Sequence, residues 1–462
     1  MDIAYLTIAK LGRAYDRREL SPVEVTRALL DRVAAHDGKL HSFIRVTEEV
    51  ALAAAKAAEA ELMAGRRRGP MHGIPYGLKD IVETAGIATT GHSKLRRDHV
   101  PQHDAEIVRR LKEGGAILLG KLATWEFALG GPSFDLPWPP ARNPWDRDRL
   151  PGGSSSGPGA AVAAGFMPAA IGTDTGGSIR GPAAFCGIAG LKPTYGRVSR
   201  RGVFPNTFTM DHIGPMTRSA EDIALMLQVI AGFDPADPGS ADVAVPDYTL
   251  ELERGVKGLR IGVIRHFYTQ DVAADPEQVA QIDGAAALLA RQGAEVREIT
   301  LPALADFSAC GQIILAAESY AVHERWLKQR PGDYGARARE RLLAGAGLSA
   351  AHYLQAVRWR QRLKAQTLAA FAGLDVALTA SSMDPACRID DAAALATNYW
   401  RQARMPFNVT GQPGLVIPSG FAKNGLPLSL QIVGQPFGEA MCYRVAQAYE
   451  AATGWTKRHP TL

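Results

Sequence analysis

The chain has 462 residues, 46% of them hydrophobic, and a formal charge of +5, so it has the material for a sizeable globular core. Acidic and basic residues are interleaved and only Arg66-Arg67-Arg68 resembles a patch, which argues against nucleic acid as a partner. The four cysteines, Cys186, Cys310, Cys387 and Cys442, stand far apart, which fits neither a zinc site nor a disulfide framework and points to a reducing compartment.

Asp2, Lys10, Arg13, Asp16 and Glu19 break up the start of the chain, so no apolar signal segment is read there. No later run is apolar for long enough to cross a membrane. The expected location is the cytoplasm. Ser21-Pro22-Val23-Glu24 joins an N-cap serine, a proline at the first helical position and a glutamate at the third, predicting a helix to about His36. A second helix is predicted over residues 47–64, ending at Gly65, so residues 1–65 read as an N-terminal helical cover.

From Gly73 to Pro215 short apolar runs, such as residues 116–119 and 167–171, alternate with glycine-rich turns, and the chemistry is placed in residues 70–232. Residues 259–264, 276–292 and 294–299 give a strand, a helix and a strand, the pattern of an α/β layer. Helical texture dominates residues 304–372, inside a variable region spanning 235–400. Residues 405–462 then return to strand-like runs at 414–433. With no repeat and no long linker, residues 1–462 read as one domain whose terminal regions share a sheet.

Two glycine- and serine-rich segments stand out: Pro151-Gly152-Gly153-Ser154-Ser155-Ser156-Gly157 and Gly172-Thr173-Asp174-Thr175-Gly176-Gly177-Ser178-Ile179-Arg180. Glycine allows close backbone approach, so consecutive N–H groups around residues 175–178 can converge on one oxyanion, with Ser178 placed to attack. A serine needs a base within reach, directly or through another hydroxyl. Lys79, in the apolar run Gly73-Ile74-Pro75-Tyr76-Gly77-Leu78-Lys79-Asp80, is the candidate, because burial there favours a neutral amine. Asp174 and Arg180 are read as an ion pair that supports the nest.

These three motifs, in this order and at this spacing, resemble the amidase-signature family. The similarity extends through Asn143-Pro144-Trp145-Asp146, Gly187-Ile188-Ala189-Gly190-Leu191-Lys192-Pro193-Thr194 and Asp211-His212-Ile213-Gly214-Pro215. The resemblance implies an α/β fold with a large mixed β-sheet covered by helices on both faces. It implies Lys79 as the base, Ser154 as a bridging serine on a cis peptide, and Ser178 as the nucleophile. By the same resemblance Thr175, Gly176, Gly177 and Ser178 form the oxyanion hole, and Leu129, Gly130, Gly131 and Ser154 border the substrate. Ser156-Gly157-Pro158 departs from the more usual pair of glycines followed by a serine, but leaves Ser154 and Ser155 in place.

No cofactor and no metal are needed; His99 and His103, at helical spacing, lack a third ligand and read as a solvated face. The expected activity is hydrolysis of a small, hydrophobic or aryl-bearing amide through an acyl-enzyme. That chemistry extends to esters and carbamates, as in an aryl acylamidase, esterase or urethanase. Phe134 to Pro140, Phe127, Trp138, Phe407 and the segment Asn398-Tyr399-Trp400 supply the aromatic surface, whereas Arg401 and Arg404 could pair with a charged substrate. The expected partners are such a small molecule and, at most, a second copy of the chain, with neither nucleic acid nor membrane.

One competing reading is the glutamine-hydrolysing A subunit of a tRNA amidotransferase, which shares these motifs around Tyr195-Gly196-Arg197-Val198-Ser199-Arg200. The stretch from Gly202 to Asp211 departs from the usual pattern of that protein, which favours a free-standing enzyme. Another is a non-catalytic binding protein on the same scaffold. Gly153 to Gly157 also fits G-x-S-x-G, which would nominate Ser155, but the residues before it, Arg147 to Pro151, are no strand.

Overall fold

The N-terminal capping signals act as written. In a computed structural model that describes residues 2–398 and 400–462, Ser21 Oγ accepts from Glu24 N–H at 3.1 Å and starts the helix Pro22–His36. Tyr399 lies outside the described residues. In chain order the first three helices are α1 (Ile8–Asp16), α2 (Pro22–His36) and α3 (Glu48–Met63). Strand β1 (Phe43–Val46) lies between α2 and α3, so the N-terminal segment is not wholly helical. At four residues, half of them exposed, it is too short and too wet to announce itself in the sequence.

Next come β2 (Pro75–Lys79), α4 (Glu106–Glu113), β3 (Ile117–Leu122), α5 (Ser156–Ala163), β4 (Ala169–Asp174), α6 (Arg180–Cys186), β5 (Ala189–Lys192), β6 (His212–Thr217) and α7 (Ala220–Ile230). The predicted strand–helix–strand forms β7 (Arg260–Val263), α8 (Pro276–Arg291) and β8 (Glu295–Glu298). The helical stretch comprises α9 (Leu304–Gln329), α10 (Ala336–Leu343) and α11 (Ala350–Ala370). It is followed by β9 (Val376–Thr379), α12 (Ala392–Asn398), α13 (Met405–Thr410), β10 (Gly414–Phe421), β11 (Pro427–Gly434) and α14 (Glu439–Thr453).

The eleven strands found among the described residues join one mixed sheet in the order β1-β3-β2-β4-β6-β5-β10-β11-β9-β7-β8, and helices pack against it, as the α/β expectation required. The exposed strands β1 and β8 form the two edges, whereas β2 and β4 are buried along their whole length. Strand β2 runs parallel to β4, with Leu78 opposite Ile171, so both deliver their C-terminal residues to the same end of the sheet. In α/β sheets that end is where functional groups collect. Helices α5 and α6 start just after Ser155 and Ile179, which holds both serine segments over that end.

Candidate active site

Lys79, the last residue of β2, is fully buried, and Nζ donates to Ser154 Oγ at 2.7 Å and to Thr173 Oγ1 at 2.7 Å. Burial pushes its ammonium down to about 7, against the opposing pull of Asp174 and Asp211. Its sequence neighbour Asp80 does not pair with it; Asp80 Oδ1 lies 3.5 Å from Lys121 Nζ and Asp80 Oδ2 accepts from Thr90. Lys79 closes β2 and Asp80 opens the turn that follows, which carries the two side chains to different partners.

The peptide bond between Gly153 and Ser154 is cis. Ser155 is locked to β4, its hydroxyl donating to Thr173 O at 3.1 Å and accepting from Thr173 N–H at 3.2 Å, so it is no exposed elbow nucleophile. Ser178 borders a cavity of about 250 Å³, and its carbonyl accepts from Ser155 N–H at 3.1 Å. The Ser154 and Ser178 hydroxyls are not hydrogen-bonded to each other, a looseness common in nucleophile sites without substrate.

Residues 174–180 fold around Asp174. Its carboxylate accepts from the N–H groups of Gly177, Ile179 and Arg180 at 2.8, 3.1 and 3.3 Å. The expected ion pair forms: Arg180 Nε lies 3.0 Å from Oδ2 and Nη2 lies 3.0 Å from Oδ1. Burial alone would raise the Asp174 carboxyl, but the Arg180 charge and hydrogen bonds from Arg180 and Asn408 hold it well below the usual range. Because Gly177 N–H is already given to Asp174, it drops out of the four expected oxyanion donors. Thr175, Gly176 and Ser178 remain.

A half-buried aspartate and a buried threonine that the motif reading passed over complete the support. Asp211 accepts from Thr175 Oγ1 at 2.6 Å and from the N–H groups of Asn206 and Thr207, and burial raises it to about 6. Thr173 belongs to a quoted motif but gained no role, because only the parallel register of β2 and β4 brings it to Lys79.

Leu129, Gly130 and Gly131 line the cavity; Ser154 does not, because its hydroxyl is turned inward to Lys79. Directly against Gly130 and Gly131 packs α10, whose first turn is tied down by Gly335 N–H to Glu126 Oε2 at 2.8 Å and Ala336 N–H to Asp135 Oδ2 at 2.9 Å. This helix brings Arg337, Glu340 and Arg341 to the cavity, and α13 is preceded there by Arg404.

The aromatic entrance is largely elsewhere. Phe134 is exposed beneath Arg142, Phe127 is buried among Phe204, His323, Trp326 and Tyr334, and Phe407 is core. Trp138 packs edge-on against His92, which also bonds its carbonyl. Of the expected aromatics only Trp400 lines the cavity among the described residues, where Trp125 and Phe185 join it. Arg401 is taken by Asp384 at 2.8 Å. His99 and His103 lie in a turn before α4, not on a helix, and no metal-holding cluster occurs among the described residues. All four cysteines are free.

The Amidase family model matches residues 24–443. The chain is 40% identical to the A subunit of the Glutamyl-tRNA(Gln) amidotransferase of Moorella thermoacetica, covering all of this chain and 99% of that one. Among solved structures it superposes on the A subunit of the Glutamyl-tRNA(Gln) amidotransferase from Thermotoga maritima with a TM-score of 0.82 at 32% identity, over 97% of this chain and 95% of that one. It superposes on the peptide amidase of Stenotrophomonas maltophilia with a TM-score of 0.86 at 32% identity, over 98% of each.

These likenesses correct two expectations. A free-standing hydrolase of hydrophobic or aryl-bearing amides is overturned by full-length similarity to the amidotransferase subunits, and the charged cavity wall agrees with that correction. The exclusion of nucleic acid and of partner proteins falls with it, since those relatives are subunits of an enzyme named for a tRNA. An interleaved surface charge could not reveal this, because one component of a complex need not itself carry a basic patch. With its motifs gathered at one end of the sheet and the family model spanning most of its length, the chain belongs to the Amidase family, the amidase-signature enzymes that hydrolyse C–N bonds.

Proposed function

We propose that this chain is the glutamine-hydrolysing A subunit of a tRNA amidotransferase, cutting the linear side-chain amide of glutamine and releasing ammonia for transfer to a glutamyl-tRNA. The observation that carries this reading is the end-to-end 40% identity with the Moorella protein. The cavity supports it: Arg337, Arg341 and Glu340 offer both signs of charge to an amino-acid carboxylate and ammonium. This reading keeps the expected cytoplasmic location, where tRNA is charged.

In the proposed mechanism neutral Lys79 takes a proton from Ser154 as Ser154 takes one from Ser178, and Ser178 Oγ attacks the amide carbon. The N–H groups of Thr175, Gly176 and Ser178 hold the oxyanion. The proton returns through the relay to the departing nitrogen, which leaves as ammonia. Water deprotonated by the same relay then releases glutamate from the ester on Ser178.

The test is ammonia release from glutamine by the chain alone and with the other tRNA amidotransferase subunits, with glutamyl-tRNA added. Turnover that rises in the complex is expected. No glutamine hydrolysis and no association under either condition would overturn the reading.

A further inference from the structure

We infer that Asp211 is a positioning residue of the oxyanion hole, aiming the Thr175 N–H through a hydrogen bond from the Thr175 hydroxyl. The inference rests on the proposed serine relay and oxyanion hole, not on glutamine as the substrate.

The N–H groups of Thr175, Gly176 and Ser178 can serve an oxyanion only if the loop that carries them is held still. Its far end is tied twice, by Gly177 N–H to Asp174 and by the Ser178 carbonyl to Ser155 N–H. Thr175 stands at the near end, the first residue beyond β4, where the strand ladder no longer fixes the backbone. There the anchor is its side chain. Thr175 Oγ1 donates to Asp211 Oδ1 at 2.6 Å, a charge-assisted bond stronger than one between neutral groups.

Asp211 is itself braced. Its other oxygen, Oδ2, accepts from the N–H groups of Asn206 and Thr207 at 2.8 and 2.9 Å. Asn206 is gripped in turn from α9, where the Ser319 hydroxyl lies 2.7 Å from Asn206 Oδ1 and 3.1 Å from its carbonyl oxygen. The oxyanion loop is thereby fastened to a long helix from a distant part of the chain. Asp211 borders a second cavity, of about 220 Å³, together with Thr173, whereas Thr175 and Ser178 line the substrate cavity and Asn206 lines both. Asp211 therefore reaches the reacting atoms only through Thr175, which makes it a positioning group and distinguishes it from Lys79, Ser154 and Ser178.

The experiment follows hydrolysis of p-nitrophenyl acetate, which needs the nucleophile and the oxyanion hole but no contact made to glutamine, beside ammonia release from glutamine. Thr175→Val keeps the backbone N–H and the side-chain shape. It is expected to lower kcat about tenfold or more with KM within about threefold, short of the hundred- to thousandfold lost when an oxyanion donor is removed outright. Thr175→Ser, which restores the hydroxyl, should keep most of the activity. Asp211→Ala should lose a similar factor in kcat, and Asp211→Asn, whose amide can still bond the hydroxyl, should keep part of it. Combining Thr175→Val with Asp211→Ala should be little worse than either alone, because both remove the same hydrogen bond. Parent-like kcat in Thr175→Val overturns the inference even if Asp211→Ala fails to fold, and so do losses that multiply in the double variant. Turnover that survives Ser178→Ala would sink the relay and this inference together; Ser178-dependent ester turnover without glutamine hydrolysis would sink the glutamine reading alone.

Discussion

A lysine that must accept a proton has to reach neutrality near working pH, and Lys79 does so because β2 carries it into the sheet, where water cannot solvate an ammonium. Its ammonium loses its proton at about 7, so the competent form accumulates as pH rises through that value. We expect kcat/KM to climb between about pH 6 and 8 and then level off. Replacing Lys79 with alanine should remove the rise and about a hundred- to ten-thousandfold of the rate. A pH–rate profile of the two proteins decides it; an unchanged rise in Lys79→Ala would assign the titration to another group, such as Asp211, which burial raises to about 6.

At the scale of elements, the loop between β4 and α6 depends on Gly177. Its φ is +124°, a region side chains rarely adopt, and an added Cβ would strike Arg404. Gly177→Ala should leave the protein folded yet cost about a hundredfold or more in kcat, the usual scale for misplacing an oxyanion donor. Circular dichroism alongside the assay separates the two effects, and near-parent activity would show that the loop tolerates the shift.

The junction of α1 with α7 makes a second prediction. Asp222 caps α1 by accepting from Ile8 and Ala9 N–H, and Glu450 accepts from Ala220 N–H at the start of α7. Burial raises these carboxyls to about 7 and about 8. A carboxyl raised on folding stabilises while protonated, so this contribution is complete below about pH 4 and is lost as pH rises through 7 to 8. It amounts to at most ~4–5 kcal/mol for each group. Urea unfolding from pH 5 to 8 should show falling stability, and Glu450→Gln should flatten part of that slope.

Across the whole molecule, one buried network joins the loop that carries Ser178 to the C-terminal part of the sheet. Arg180 on α6 binds Asp174 on β4, Asn408 Oδ1 on α13 and Gln431 Oε1 on β11, and Asn408 also donates to Asp174. Arg180→Met would strand the Asp174 carboxylate without its counter-charge, and breaking a buried pair from one side costs about 3–5 kcal/mol. Adding Asp174→Asn should restore part of that loss. Denaturant midpoints of the single and double variants measure it, and purely additive losses would mean that the two side chains are not coupled.

The sequence by itself determined what local chemistry dictates. The Ser21-Pro22-Glu24 cap, the apolar periodicity of the long helices and the glycine-rich turns act within a few residues of themselves, and so did the three motifs that marked the family. Strand β1 escaped, since only its pairing with β3 defines it. Tertiary structure alone decided that Thr173 meets Lys79 and that α10 and Arg404 give the cavity charged walls. These contacts join residues far apart in the chain, and no local pattern encodes which side chains a folded sheet will bring face to face. Of the aromatic residues that suggested a hydrophobic substrate, Phe127 and Phe407 were drawn instead into the core and Phe134 was left at the surface, because a large ring is buried wherever packing has room for it.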